Sequence, residues 1–190
     1  MQKIEEMLIG LENVLSKERY QHSIRVMNTC ETLGRIYGAD VQKVKIAGLL
    51  HDCARELSRQ DLIDIVKRNG LEISLVENLQ TVLLHAKASG IFAREHFGVL
   101  DKEIISAISL HTTGKPNMSL VEKILFIADF IEPNRKFSGI DEIRNMAYND
   151  IDKTLIVVLK NIIMYVVENG FLLHTSTVEA YNWAKANCRG

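Results

Sequence analysis

The chain has 190 residues, enough for one domain with a substantial core. Lys+Arg 23 against Asp+Glu 24 leaves a formal charge of −1 and a pI near 6.6, a balance that argues against a dedicated nucleic-acid or anionic-membrane binder. Cys30, Cys53 and Cys188 are scattered without CxxC spacing, so neither a disulfide framework nor a cysteine zinc site is expected, and a reducing cytoplasm fits best.

Acidic residues interrupt the apolar positions of the first segment, MQKIEEMLIGLENVL, unlike a signal peptide. In that segment Ile4, Met7, Leu8, Leu11, Val14 and Leu15 recur at the 3.6 period of a helix. Ile24, Met27, Cys30 and Leu33 predict a second helix, stopped by Gly38. Asp40 can cap a third, which carries Val44, Ala47 and Leu50 into His51-Asp52. Ser58 opens a fourth, and Asn69-Gly70 suits its left-handed end. Ser-x-x-Glu boxes begin at Ser74, Ser119 and Ser176, each before an apolar run. Helices are expected over 85–97, ended by Gly98, and over 101–111.

A further helix over 119–132 stops at Pro133, since proline disfavours helical geometry in the residue before it. A long helix follows near 150–169, then Asn169-Gly170, an apolar turn FLLHT, and a last helix to about 187. The run IVVL…IIMYVV within the long helix is broken by Lys160 and Asn161 and is too short to span a bilayer. Alternation of Val, Ile and Thr never lasts long enough for a strand; FLLHTSTV comes nearest. The expectation is an all-α, single-domain helical bundle.

His22, His51, Asp52, His85, His111 and Asp129 carry the chemistry of this chain. Each lies in or beside an apolar helical segment, where an unpaired polar or charged group is costly. Taken singly, a buried histidine reads better as a hydrogen-bonded core residue than as a ligand. As a set, His22, His51, Asp52 and Asp129 can share one cation, with His85 and His111 at the ends of intervening helices. Two imidazoles and two carboxylates suit iron, manganese, cobalt or zinc better than calcium, magnesium or copper(I). His85 and His111 leave two readings open: a second metal bridged by Asp52, or direct contact with a substrate.

The order His22 … His51-Asp52 … Asp129 resembles the HD-domain metal-dependent phosphohydrolase superfamily. More closely, the chain resembles the YqeK-type symmetrical diadenosine tetraphosphate hydrolases. The closer match rests on HDCAR at 51–55, HAKASG at 85–90, the block from His111 to Gly139 and NGFLLHTSTVEAYN at 169–182. The resemblance implies one HD domain over 1–190, with a core at about 18–132 and helices at about 141–187 completing a nucleotide pocket. It implies an iron-type metal on His22, His51, Asp52 and Asp129, with His85, Thr112, Thr113 and Arg135 along the phosphates. Arg55, within a turn of Asp52, is a further phosphate candidate. Gly170, Phe171, Leu172, Leu173, His174 and Thr175 would touch the nucleoside, although by hydropathy alone Phe171, Leu172 and Leu173 read as core.

Hydrolysis of diadenosine tetraphosphate to two ADP would then use water activated by the metal, with Asp52, His85 and His111 as catalytic groups. A protonated His85 or His111 would assist the leaving nucleoside diphosphate. The alternatives are another HD-type nucleotidase or a non-catalytic nucleotide sensor. The sequence leaves a homodimer open and gives no sign of a nucleic-acid or membrane partner.

Overall fold

Short polar residues cut this chain into helices. The computed structural model describes residues 4–188. Its helices are α1 (Ile4–Glu12), α2 (Lys17–Tyr37), α3 (Val41–Leu50), α4 (Arg59–Arg68), α5 (Leu75–Leu79), α6 (Leu84–Phe97), α7 (Lys102–Leu110), α8 (Leu120–Ile131), α9 (Ile140–Ala147), α10 (Ile151–Glu168) and α11 (Thr175–Asn187). A single 3₁₀ turn, Thr81–Leu83, leads into α6. There is no strand among the described residues, and FLLHT is irregular chain before α11. No helix among them is long and apolar enough to cross a membrane.

Most helix starts follow the sequence chemistry. Asp40 accepts from the backbone N–H groups of Gln42 and Lys43, and Ser58 accepts from that of Asp61. Ser74 with Glu77 and Ser119 with Glu122 form complete capping boxes. Each such cap contributes about 1 kcal/mol. Ser176 is a correction: it lies inside α11, and His174 caps that helix by accepting from the Ser176 N–H. The first apolar stripe also outlasts its helix. α1 ends at Glu12 because Ser16 caps α2, and Val14 in the intervening turn is 44% exposed.

The core forms where α2 lies along α3 and crosses α8, with α7 packed on α3 and α8. Cys30, Leu33, Val44, Leu50, Ile108 and Leu125 are fully enclosed there. A smaller apolar cluster, including Leu62, Val66 and Leu84, joins α4 to α6. These two clusters hold the C-terminal ends of α3 and α7 and the start of α6 beside the first third of α2, which is where the polar cluster collects.

One glycine sets the spacing of α2 and α3. A Cβ on Gly48 would lie 2.9 Å from the Met27 Cα and 2.9 Å from the Cys30 Sγ. Backbone cannot yield as a flexible side chain can, so alanine would drive the two helices apart. Gly48→Ala should therefore lower stability by about 1–3 kcal/mol, although alanine is the better helix former. Thermal melts would check this; an unchanged Tm would mean that the crossing does not depend on this close approach.

Candidate metal centre

Three of the four cluster histidines sit where helices leave backbone carbonyls without intrahelical partners. His51 follows the last residue of α3, and its Nδ1–H donates to the Gly48 carbonyl at 2.8 Å. His111 stands at the end of α7 in the same way, with Nδ1–H donating to Ile108 O at 2.7 Å. His85 opens α6 and directs Nδ1 to the carbonyl of Val82 in the 3₁₀ turn. A neutral imidazole that donates through Nδ1 presents a bare lone pair at Nε2. All three rings aim that lone pair inward.

The lone pairs meet one carboxylate. Asp52 Oδ2 is 3.5 Å from His51 Nε2 and 3.8 Å from His22 Nε2, and Oδ1 is 3.1 Å from His85 Nε2 and 3.5 Å from His111 Nε2. Asp129 Oδ1 lies 3.1 Å from His22 Nε2 and 3.9 Å from His51 Nε2. The Nε2 atoms of His22 and His51 are 3.2 Å apart, and those of His85 and His111 are 3.1 Å apart. His85 and His111, both with Nδ1–H committed to a carbonyl, cannot as neutral rings hydrogen-bond each other through Nε2. Asp52 Oδ1 is buried with no hydrogen-bond donor among the described residues, a costly state for a charged acceptor. A cation converts these contacts into coordination, so the donor set fits a divalent metal. His22, His51 and Asp129 each bring one ligand atom within 4.8 Å of the others, and so do His51, Asp52 and His111.

Without a cation, protons are the alternative partners. Burial disfavours charge on His51, but the carboxylates of Asp52 and Asp129 outweigh it and raise its pKa. Burial dominates at His85 and lowers its pKa. At Asp52 burial is overcome by the imidazoles of His51, His111 and His85, which hold the carboxyl well below the usual range. Asp129 is lowered too, against desolvation, chiefly by His22 and His51.

The family model described as HD domain matches residues 19–134. The chain belongs to the HD-domain family. It is 38% identical to the protein of Halalkalibacterium halodurans called bis(5'-nucleosyl)-tetraphosphatase, symmetrical, over 88% of this chain and 89% of that one. The Bacillus subtilis protein of the same name is 35% identical, over 94% and 96%. A crystal structure from Clostridium acetobutylicum, described as a predicted HD superfamily hydrolase involved in NAD metabolism, shares 41% identity. It superposes with a TM-score of 0.94 over 98% of both chains.

All six cluster residues fall inside the HD-domain match, and the turn at 170–175 falls outside it. Beside the cluster a cavity of about 420 Å³ is walled by Arg19, His22, Arg25, Glu132 and Arg135 among others. Arg135 lines it, with Nη2 3.2 Å from Asp129 Oδ1 and Nε donating to the Asp129 carbonyl. Thr112 is half-buried and Thr113 buried, in the turn after His111. Arg55 is half-buried and makes no ion pair within 4 Å among the described residues.

The 170–175 turn docks on the segment before α6. The Leu172 N–H donates to Gln80 Oε1 at 2.8 Å, and His174 Nε2 is 3.3 Å from Ser74 Oγ. Phe171 and Leu172 are 50% and 44% exposed, so hydropathy misplaces them in the core. Leu173 and His174 are half-buried, Gly170 ends α10 with φ +68°, and Thr175 begins α11.

Sequence reasoning missed Arg19, Arg25 and Glu132. Arg19 Nη1 donates to Asp52 Oδ2 at 2.8 Å, and Arg25 Nε to Glu132 Oε2 at 2.7 Å. Arg19 and Arg25 stand three residues either side of His22, the spacing of one helix face; that was the available signal.

The metal-free protein should be most stable near about pH 6.5. His51, with its raised pKa, contributes stability that is complete below its unfolded value of ~6.5 and is lost as pH rises through the folded value. His85, lowered, costs stability in acid, and that cost fades as pH rises toward ~6.5. Asp52 and Asp129 add a further loss as pH falls below ~3.9. Melts of chelator-treated protein from about pH 5 to 8 should show the maximum, while metal affinity rises with pH as imidazoles shed protons. A Tm that climbs steadily through this range would contradict the His51 environment.

Proposed function

We propose that this HD-domain protein hydrolyses diadenosine tetraphosphate symmetrically, releasing two ADP, with a transition metal held by His22, His51, Asp52 and Asp129. The observation that carries the reading is the convergence of four imidazoles on the one buried carboxylate of Asp52, beside an arginine-walled cavity. The names of the Halalkalibacterium and Bacillus relatives, which match over nearly their whole lengths, support the substrate and the bond cleaved. Iron is the metal we assign, with manganese, cobalt and zinc compatible with the same donors. His85 and His111, facing Asp52 Oδ1, suit a second metal.

When bound, the metal supplies Lewis acidity and a water of lowered pKa. The side chains do the rest. Asp52 and Asp129 balance the cation's charge, and the Nδ1–H anchors of His51, His85 and His111 keep their lone pairs aimed without reorganisation. Arg135 and Arg19, at the cavity wall, pair with the polyphosphate oxygens, for which a planar guanidinium is geometrically suited. Thr112 adds a hydroxyl donor, whereas Thr113 already gives its N–H to Leu110 O and its hydroxyl to Gly114 O and would have to exchange one of these for a phosphate oxygen; Arg55 is close enough in sequence to Asp52 to join them. Burial keeps His85 neutral at pH 7, so we assign it a lone-pair role toward the cation in place of general acid. The exposed ring of Phe171 and the side chain of Leu172 offer an apolar platform for a nucleoside base, with Gly170, Leu173, His174 and Thr175 shaping the turn.

Asp52→Ala and His51→Ala should abolish turnover together with bound metal, as read by elemental analysis and by product formation: ADP from diadenosine tetraphosphate, and inorganic phosphate or pyrophosphate from nucleoside triphosphates and monophosphates. Cleavage of monophosphates alone by the native protein would reject the proposed substrate. Arg135→Ala should retain metal and raise KM by about tenfold or more, since a charged hydrogen bond of roughly 1.5–3 kcal/mol is lost. Unchanged kinetics would remove Arg135 from the substrate's contacts.

A further inference from the structure

His22 differs from the other three histidines in its setting. It lies inside the first third of α2, where the carbonyls of the preceding turn are engaged by the helix itself. His51, His85 and His111 each direct Nδ1 to a carbonyl three residues back at a helix end or 3₁₀ turn. An imidazole within a helix has no such carbonyl, so its Nδ1–H needs a side-chain acceptor. The residue nearest to filling that need is Glu132, which immediately follows α8 and is 3% exposed.

Glu132 is held in an orientation that matches this need. Oε2 accepts from Arg25 Nε at 2.7 Å and from the Asn134 backbone N–H at 2.9 Å. Oε1 is left facing His22, 3.5 Å from Nδ1. The chain that carries Glu132 is itself clamped: Arg144 of α9 donates to the carbonyls of Ile131, Glu132 and Arg135, each at 2.9 Å. A buried carboxylate with one oxygen doubly paired and the other turned to a candidate ligand's far nitrogen is an arrangement that orients a metal-binding imidazole.

We propose that Glu132, aligned by Arg25, is a positioning residue that keeps the proton of His22 on Nδ1 and its Nε2 lone pair on the cluster. The inference rests on the proposed function for its metal. A glutamine in place of Glu132 could not reproduce both pairs. With its amide oxygen toward Arg25 and Asn134, its NH₂ would face Nδ1 and favour the tautomer with the proton on Nε2, blocking that ligand. With the amide reversed, the NH₂ would confront two donors.

The test reads the ring and the metal separately. In metal-free native protein at about pH 8, above the ordinary imidazole range, long-range ¹H–¹⁵N correlation spectra should place the His22 proton on Nδ1. In Glu132→Gln a substantial fraction should move to Nε2, and cobalt(II) titration followed by absorbance should show affinity reduced by roughly 10–100-fold. Arg25→Lys, which keeps the charge but loses the fixed fork, should give a smaller loss in the same direction. A native His22 with its proton on Nε2 overturns the proposal and needs no variant to fold. Unchanged cobalt affinity in a folded Glu132→Gln overturns it too. Native protein that binds no cobalt would instead sink the metal reading of the cluster, while the tautomer measurement would still judge Glu132.

Discussion

The structure turns on lone pairs. His85 and His111, neutral and with their Nδ1–H groups committed to carbonyls, present unshared pairs to each other at 3.1 Å, beside an oxygen of Asp52 that has no hydrogen-bond donor. No donor among the described residues completes that arrangement. Native folds keep most buried polar atoms paired, so a buried set left this way is expected where a bound group completes it. The cost is borne by packing elsewhere. Each fully buried aliphatic residue of the α2–α3–α8 core contributes about 1.5–3 kcal/mol, and Leu33, Leu50, Ile108 and Leu125 stand directly around the helices that hold the cluster.

Helix ends make the arrangement possible. A carbonyl in the last turn of a helix has no intrahelical donor, so a histidine just past the end can satisfy it and fix its own tautomer in the same bond. His51 and His111 both do this, at the ends of α3 and α7. The neighbours His51 and Asp52 both serve one centre, with His51 Nε2 3.5 Å from Asp52 Oδ2. His51 itself keeps helical dihedrals, φ −56° and ψ −33°, so the two side chains leave the backbone in different directions and their own lengths bring them together.

Much of this was readable from residue order alone, for local reasons. Ser58, Ser74 and Ser119 cap helices because their hydroxyls sit three residues before an acceptor-seeking N–H, a relation contained in the sequence. The His and Asp positions were legible because charge within apolar helices needs a partner. What escaped depended on tertiary placement. His174–Thr175–Ser176–Thr177 offers four cap-competent residues in a row, and the choice of His174 is reinforced by Ser74, a hundred positions away. Phe171 and Leu172 look like core because hydropathy does not say which side of a turn meets solvent. Glu132 looks like a helix-terminal acid beside Pro133 until α8 is folded against α2, which brings Arg25 to it across 107 positions.

The charges of the centre are arranged in pairs that explain why metal and polyphosphate belong together. Asp52, Asp129 and Glu132 each have an arginine: Arg19 at 2.8 Å, Arg135 at 3.2 Å and Arg25 at 2.7 Å. With neutral imidazoles the set sums close to zero, so a divalent or trivalent cation leaves it net positive. A polyphosphate entering the cavity those arginines wall meets that excess in a partly desolvated site, where Coulombic terms exceed their value in water. The same reasoning runs in reverse, because a bound polyanion favours the cation by the same coupling free energy. Under the proposed function, Arg19 and Arg135 would serve both sides of this exchange. Each neutralises a carboxylate of the cluster while remaining 32% and 46% exposed at the side chain, accessible to phosphate oxygens that arrive from solvent.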